Sequence, residues 1–368
     1  MKKTLLNKSI YVTKSFLPPI AKYQKYIEKI WKSNQLTNQG PLLKEFEEKT
    51  KKYLDVKYFH FVTNGTLALQ IALKVLDIIE GEIITTPFSY VATTSSILWE
   101  RCQPIFVDIE LNTFCIDVNK IEKAITKNTR AILAVHVFGY PCDVDKIQLI
   151  AKKYNLNVIY DAAHAFGAEY KGRSLLSYGD ISIGSFHATK VFHTIEGGCL
   201  VTEDKNISEK IDLIKRFGHI GDVHFRLGIN AKASEFQAAM GLCNLEYVDE
   251  IIKKRKTVVD LYDKLLGSKF QKPKIPKELK YNYSYYPLLF KNENQLLTAI
   301  KALNKENIYP RRYFYPSLNT LPYLDKRYSC PISEDISLRI LCLPLHIEFD
   351  KKMITEICKI LKQETNHL

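Results

Sequence analysis

The sequence predicts an α/β protein: a mostly parallel sheet flanked by helices, followed by a smaller C-terminal α/β domain. Three observations carry this. Short apolar runs alternate with helical patterns along most of the chain. One of these runs, Ala131-Ile-Leu-Ala-Val135, is apolar at every position, as strands covered on both faces are. The third is the stretch 268–281, Ser-Lys-Phe-Gln-Lys-Pro-Lys-Ile-Pro-Lys-Glu-Leu-Lys-Tyr, whose two prolines and five lysines cannot build a core. It predicts a linker, with an N-terminal arm and helix over 1–40, a large domain over 41–267 and a small domain over 282–368. A chain of 368 residues, 46% of them apolar, has material for both.

Composition narrows the classes. No apolar run approaches 18 residues, so no membrane span is expected, and Met1-Lys-Lys-Thr-Leu-Leu-Asn7 lacks the apolar core of a signal peptide. Eight cysteines without a CxxC pair predict reduced thiols in a cytoplasm and neither a metal site nor a disulfide framework. The net charge of +13 suits nucleic acid, a lysine-rich surface, or a site mouth that draws in anions. The only basic cluster, Lys253-Lys-Arg-Lys256, shares a helical pattern with Ile251, Ile252, Val258 and Val259 and is expected to be a solvated helix face. No helix-turn-helix or aromatic-laced basic stripe points to nucleic acid.

Taken in order, Pro18-Pro19 opens a helix with Ile20, Tyr23, Ile27 and Ile30 at helical spacing, and 36–41, Leu-Thr-Asn-Gln-Gly-Pro, is a turn. Tyr58-Phe-His-Phe-Val62 is a strand, followed by Thr63-Asn-Gly-Thr66 and a helix with Leu67, Ile71, Ala72, Val75 and Leu76 inward. A strand, a glycine turn and a helix N-terminus make a phosphate site, because free N–H groups and the helix dipole meet there. Thr66 is expected to cap the helix and offer its hydroxyl; an ordinary capped helix fits a lone Asn-Gly-Thr as well. Strand 82–86 leads to Tyr90, placed past its carboxyl end where α/β sheets bind ligands, with Phe88 expected in the core. Strand 103–109, helix 118–126 and strand 131–137 follow, the last closed by His136 and Gly139-Tyr-Pro141. A helix containing 147–151 precedes strand 157–161, which ends on Asp161, with His164 just beyond. For Asp161 alone, a helix N-cap is the plainer reading.

The next strand, Ile181-Ser-Ile-Gly184, opens the stretch Ser185-Phe-His-Ala-Thr-Lys-Val-Phe-His-Thr-Ile-Glu-Gly-Gly198, and Cys199-Leu-Val201 is a strand again. Desolvation between two strands disfavours the ammonium form of Lys190. A neutral lysine amine forms Schiff bases with carbonyl compounds. Residues 203–228 are expected as connection, strand edge and loop, and a long helix from about 228 to 256. In the small domain, strands at 285–290 and 308–314 enclose a helix over 294–305, and the helix 349–363 closes the chain.

The stretch Ser185–Lys190 with Glu196-Gly-Gly198 resembles the lysine motif of the DegT/DnrJ/StrS sugar-nucleotide aminotransferases. The resemblance extends to Gly65-Thr66, Tyr90, Asp161, His164 and Asn230, in family order over nearly the whole chain. It implies the type I fold of pyridoxal phosphate-dependent transferases, with a mostly parallel seven-stranded sheet. It assigns Lys190 to the Schiff base and proton transfer, and Asp161 to the ring nitrogen. His164 falls to the phenolic oxygen and Tyr90 to the ring face. Gly65, Thr66 and Ser185 fall to the cofactor phosphate, with Asn230 of the partner subunit, in a homodimer. Many relatives carry arginine where Lys232 stands. His187 and Tyr313, with the 220–228 loop, are the candidates for loop bracing and sugar contact. L-glutamate is the implied donor, and pyridoxamine 5'-phosphate the intermediate form of pyridoxal 5'-phosphate.

The wording of 186–198 is closest to members acting on dTDP-linked 4-keto-6-deoxy sugars for surface polysaccharide (O-antigen) biosynthesis. A 3-keto substrate and UDP or GDP carriers stay open, as does a catalytically silent scaffold on the same fold. Relatives that dehydrate carry histidine at the lysine position, and Lys190 argues against that chemistry. A DNA-binding regulator rests on charge alone.

Overall fold

The computed structural model describes residues 9–324 and 328–366. Its centre is a seven-stranded sheet. In spatial order the strands are Tyr58–Val62, Gly198–Thr202, Ile181–Ser185, Asn157–Asp161, Thr129–Val135, Gly81–Thr85 and Cys102–Phe106. Only Gly198–Thr202 runs against its neighbours. Alternate side chains divide between two cores, as the pleat requires. Ile83, Ala131, Leu133, Ile159 and Leu200 face the helices Gly65–Val75 and Lys205–Ile214. Ile84, Ile132, Ala134, Val158 and Val201 face the other way, toward Phe46 of Pro41–Leu54 and Leu242 of Glu235–Leu245. A further core gathers Tyr262, Leu288, Leu296, Leu341 and Ile357, drawing on the helices Val248–Leu266, Glu293–Lys305 and Lys351–Asn366. Among the described residues no helix is long and apolar enough to cross a membrane.

Several elements depart from expectation. Residues 203–228 contain the helix Lys205–Ile214, capped by Asp204, and an exposed hairpin pairing His219–Ile220 with Val223–His224. The single helix expected from 228 is two, Glu235–Leu245 and Val248–Leu266. Asn230 lies ahead of both, bridged to Arg216, because Ser234 and Gln237 form a reciprocal capping box that starts the first helix later. The expected strand 308–314 is only Ile308–Tyr309, and it pairs in parallel with Ile10–Tyr11 of the N-terminal arm. Its neighbour in the small domain, Pro287–Leu289, pairs with Ile340–Cys342. Within Lys253–Lys256, Arg255 is buried, and its guanidinium donates to the carbonyls of Tyr283 (2.7 Å), Ser284 (2.7 Å) and Leu345 (2.9 Å).

The turn at Gly40-Pro41 has a long-range cause. The buried Glu235 carboxylate accepts from the amides of Leu42 (2.8 Å) and Leu43 (2.9 Å), closing the first turn of Pro41–Leu54. A Cβ on residue 40 would lie 2.5 Å from Glu235 Cδ, so a larger residue there would push the carboxylate off these amides.

Candidate active site

Several parallel strands end at one edge of the sheet, and a cavity of about 260 Å3 lies against that edge. The strand Tyr58–Val62 delivers Asn64, Gly65 and Thr66 to it. Past Gly81–Thr85 come Ser89 and Tyr90; Asn157–Asp161 supplies Asp161 and, just beyond, His164. Ile181–Ser185 supplies Ser185, and the following loop His187, Lys190 and Glu196. The small domain closes the far wall with Tyr285, Arg311, Tyr313 and Phe314. One cavity therefore gathers every candidate side chain named from the sequence except the 220–228 loop and Asn230. That residue is exposed, and its Oδ1 accepts from Lys232 Nζ at 2.7 Å.

At one end the helix Gly65–Val75 presents its N-terminus. Asn64, not Thr66, is the N-cap, its Oδ1 accepting from Leu67 N at 2.9 Å. Thr66 is exposed in the first turn, so its hydroxyl is not committed to capping. Gly65 approaches Ser185 closely: a Cβ there would lie 3.1 Å from Ser185 Cβ. Amides, hydroxyls and a helix dipole form a small anion cradle.

Across the cavity floor, Asp161 is buried. Its Oδ2 accepts from Thr93 Oγ1 (2.7 Å), itself bonded to Ser89 Oγ (2.8 Å), and its Oδ1 from Ala163 N (3.1 Å). Two bonds leave carboxylate lone pairs unused. Burial raises the Asp161 pKa, against the pull of these donors and of Lys190. A donor N–H placed against it would be strongly held. His164 is buried beside it, stacked on Phe314 with centroids 5.5 Å apart. Its Nδ1 accepts from Phe138 N at 3.3 Å, so in the neutral ring Nε2 carries the proton. Burial, with the nearby lysine, keeps this ring neutral. Tyr90, 56% exposed on its own chain, offers a free ring face to the cavity.

Lys190 sits in a turn, its amide donating to His187 O at 2.9 Å. Burial lowers its pKa to about 8, while the Asp161 carboxylate acts to raise it. His187 Nδ1 meets Thr189 Oγ1 at 2.8 Å, and its Nε2 lies 3.5 Å from Glu196 Oε1, so the two side chains brace the loop around the lysine. Tyr313 packs edge-on to Tyr285 (5.4 Å) beneath the Arg311 guanidinium (5.1 Å).

Sequence reasoning left several lining residues without a role. Glu196 stood inside a quoted stretch, and Thr93, which holds Asp161 from 68 residues away, has no local signal. Ser89 stands beside Tyr90 and reaches Asp161 only through Thr93, while Tyr285, Arg311 and Phe314 enter from the C-terminal part of the chain, which spacing does not reveal.

The profile described as the DegT/DnrJ/EryC1/StrS aminotransferase family matches residues 20–362. The dTDP-4-amino-4,6-dideoxy-D-glucose transaminase of Shigella dysenteriae is 41% identical over 366 residues, covering 97% of this chain and 100% of that protein. The GDP-perosamine synthase of Escherichia coli O157:H7 is 34% identical, covering 93% and 95%. Among solved structures, DesI in the presence of its TDP-sugar product superposes with a TM-score of 0.93 at 27% identity, over 99% of this chain and 95% of that one.

Proposed function

The chain belongs to the DegT/DnrJ/EryC1/StrS aminotransferase family, and we propose that it converts a dTDP-linked 4-keto-6-deoxy sugar to the 4-amino sugar with L-glutamate as donor. It is an aminotransferase with the type I fold of pyridoxal phosphate-dependent transferases. The observation that carries the proposal is one cavity holding a lysine amine of depressed pKa, a buried carboxylate with lone pairs to spare and an anion cradle at a helix N-terminus. The choice of substrate rests on the 41% identity to the Shigella enzyme.

The residues fit pyridoxal 5'-phosphate. Gly65, Thr66 and Ser185 would hold its phosphate, Asp161 its ring nitrogen, His164 its phenolic oxygen and Tyr90 its ring face. Bound there, the cofactor supplies an aldehyde that captures amines and a protonated ring that takes up electrons from an α-carbon. Lys190 Nζ takes the proton from the α-carbon of glutamate in the first half-reaction and returns one to the sugar carbon in the second. Asp161, kept ionised by the donor it grips, holds a proton on the ring nitrogen throughout. His187 braces the loop, and Tyr313 contacts the sugar. Water supplies the oxygen with which glutamate leaves as 2-oxoglutarate, the amino group passes to the sugar carbon, and the keto oxygen leaves as water.

The proposal includes a homodimer. Asn230 lies outside its own chain's cavity, and the neighbouring hairpin exposes Ile220, Val223, Phe225 and Leu227, the last at 85%. A second copy covering this apolar surface would bring Asn230 of the partner subunit toward the phosphate cradle. Lys190 and Asn230 variants, each inactive alone, should then regain activity when mixed. The proposal places the enzyme in the cytoplasm, serving surface polysaccharide (O-antigen) synthesis.

Borohydride reduction of the purified yellow protein followed by peptide mapping should place the label on Lys190, and Lys190→Ala should take up none. Label elsewhere, or colourless protein, ends the proposal. A panel of keto-sugar nucleotides read by mass should then favour the dTDP-4-keto-6-deoxy sugar over 3-keto, UDP and GDP analogues.

A further inference from the structure

We infer that His193, together with the N-terminal arm it grips, is a positioning residue for Lys190. This rests on the role just proposed for that lysine. The loop between the strands Ile181–Ser185 and Gly198–Thr202 is tied to itself near its base, by Phe186 N to Gly197 O (2.8 Å) and Thr194 N to Phe186 O (2.9 Å). Between those ties, the apex carrying Lys190 is held from outside. Ser15 Oγ donates to Ala188 O at 2.7 Å, and His193 Nε2 lies 2.7 Å from Phe16 O. Two adjacent arm residues thus grip the loop two positions before the lysine and three after it.

The geometry fixes the tautomer of His193. Nδ1 accepts from Ile195 N at 3.2 Å, so Nε2 must carry the hydrogen that Phe16 O receives. A second proton would set an N–H against the Ile195 N–H. His193 is 3% exposed, and its carbonyl accepts from the buried Asn244 Nδ2 at 2.9 Å. Burial, with His187 nearby, lowers the pKa of the ring against the pull of the Phe16 carbonyl. Ile195 adopts φ +72°, a conformation that branched residues rarely take. The bond from its N–H to His193 therefore secures the backbone that leads on to Glu196 in the cavity.

The arm is itself anchored to the opposite wall. Ile10 and Tyr11 pair with Ile308 and Tyr309, the tyrosine rings stacking at 5.3 Å, and Val12 O accepts from Leu345 N at 3.1 Å. Arg311, Tyr313 and Phe314 of that wall follow within a few residues. A single extended segment therefore links the small-domain side of the cavity to its lysine loop, fixing the separation over which Lys190 must reach a substrate carbon. Misplacing a reacting group by about 1 Å costs on the order of a hundredfold in rate.

The test compares His193→Phe, His193→Gln and Ser15→Ala holoenzymes. His193→Phe should lower the rate of the single-turnover glutamate half-reaction roughly ten- to hundredfold. The KM for the sugar nucleotide should change less than about threefold, and the pH midpoint of the visible absorbance should shift. His193→Gln, keeping a donor for Phe16 O, should recover part of the rate. Ser15→Ala, which removes one half-buried hydroxyl of the arm, should speed proteolysis ahead of residue 18 and shift the same midpoint. Combined with His193→Phe it should add less than its own effect. Should His193→Phe not fold, Ser15→Ala alone decides. A lower melting temperature with rate and midpoint unchanged makes the contact structural only and overturns the inference. Failure to trap Lys190 in the unaltered protein would instead overturn the proposed function.

Discussion

In the apoprotein Lys190 should titrate as an amine of pKa about 8 and not at the ordinary lysine value of 10.5. The cause is local: the amine shares its cavity with Ala163, Ile183 and Phe314, which offer its charge no solvation, and only Asp161 opposes the effect. At pH 7 a lysine with that pKa is about one-tenth neutral, against roughly 0.03% for an unperturbed one, an advantage of about 300-fold. The assay is labelling with a small aldehyde, quenched by borohydride and mapped by peptide, from about pH 6 to 11, with surface lysines of the same digest as reference. Labelling at residue 190 should rise about tenfold per pH unit below 7 and level off by about pH 9. Asp161→Asn removes the one charge that favours the ammonium, so it should move the midpoint down. The opposite holds if an adjacent anion merely activates the amine by taking its proton. A midpoint above about 9.5 in the unaltered protein, or an upward move in Asp161→Asn, refutes desolvation as the source of reactivity.

Arg255→Met leaves three buried carbonyls without donors and should cost about 3 kcal/mol in urea unfolding; a loss under about 1 kcal/mol would mean that water replaces the guanidinium. Glu235→Ala strips the amides of Leu42 and Leu43 of their acceptor and should cost about 2 kcal/mol, with the helix Pro41–Leu54 losing amide protection first in hydrogen exchange. His60 is buried against Ser208 Oγ at 2.8 Å, and burial lowers its pKa from 6.5 to about 3. The unfolded chain therefore binds its proton first, and the stability this histidine supports is lost as pH falls below 6.5. His60→Gln should flatten the acid limb of the stability curve by about 1.4 kcal/mol per pH unit, whatever it does to stability at pH 7. An unchanged slope would show that His60 is already protonated in the fold.

What was legible in the sequence is what the chain places by local rules. Asp161, Lys190 and the Gly65-Thr66 turn each stand just past an apolar strand. Parallel strands end at one sheet edge, so residues far apart in the chain meet there without needing any signal of each other. The seven-stranded sheet followed from the same runs and the family resemblance. The contacts made by the arm, Glu235 and Arg255 were not legible for the converse reason. Glu235 looks like an ordinary acid in the first turn of its own helix, but its carboxylate serves a helix that starts at Pro41. Arg255 shares its sequence neighbourhood with three lysines that do face water, and only the carbonyls of 283, 284 and 345 single it out. The break between Leu245 and Val248 lacks a glycine or proline, and the apolar period runs straight across it. Asn244, beside that break, spends its amide on His193 O, in the loop that carries Lys190. The helix end and the lysine loop are thus parts of one contact, and a reading that treats each stretch by its own pattern sees a continuous helix on one side and an unsupported loop on the other. That division explains why the chemistry was readable while its supports were not: reactive groups lie at strand ends that local pattern reveals, and the bonds that hold them come from elements brought near only by the finished fold.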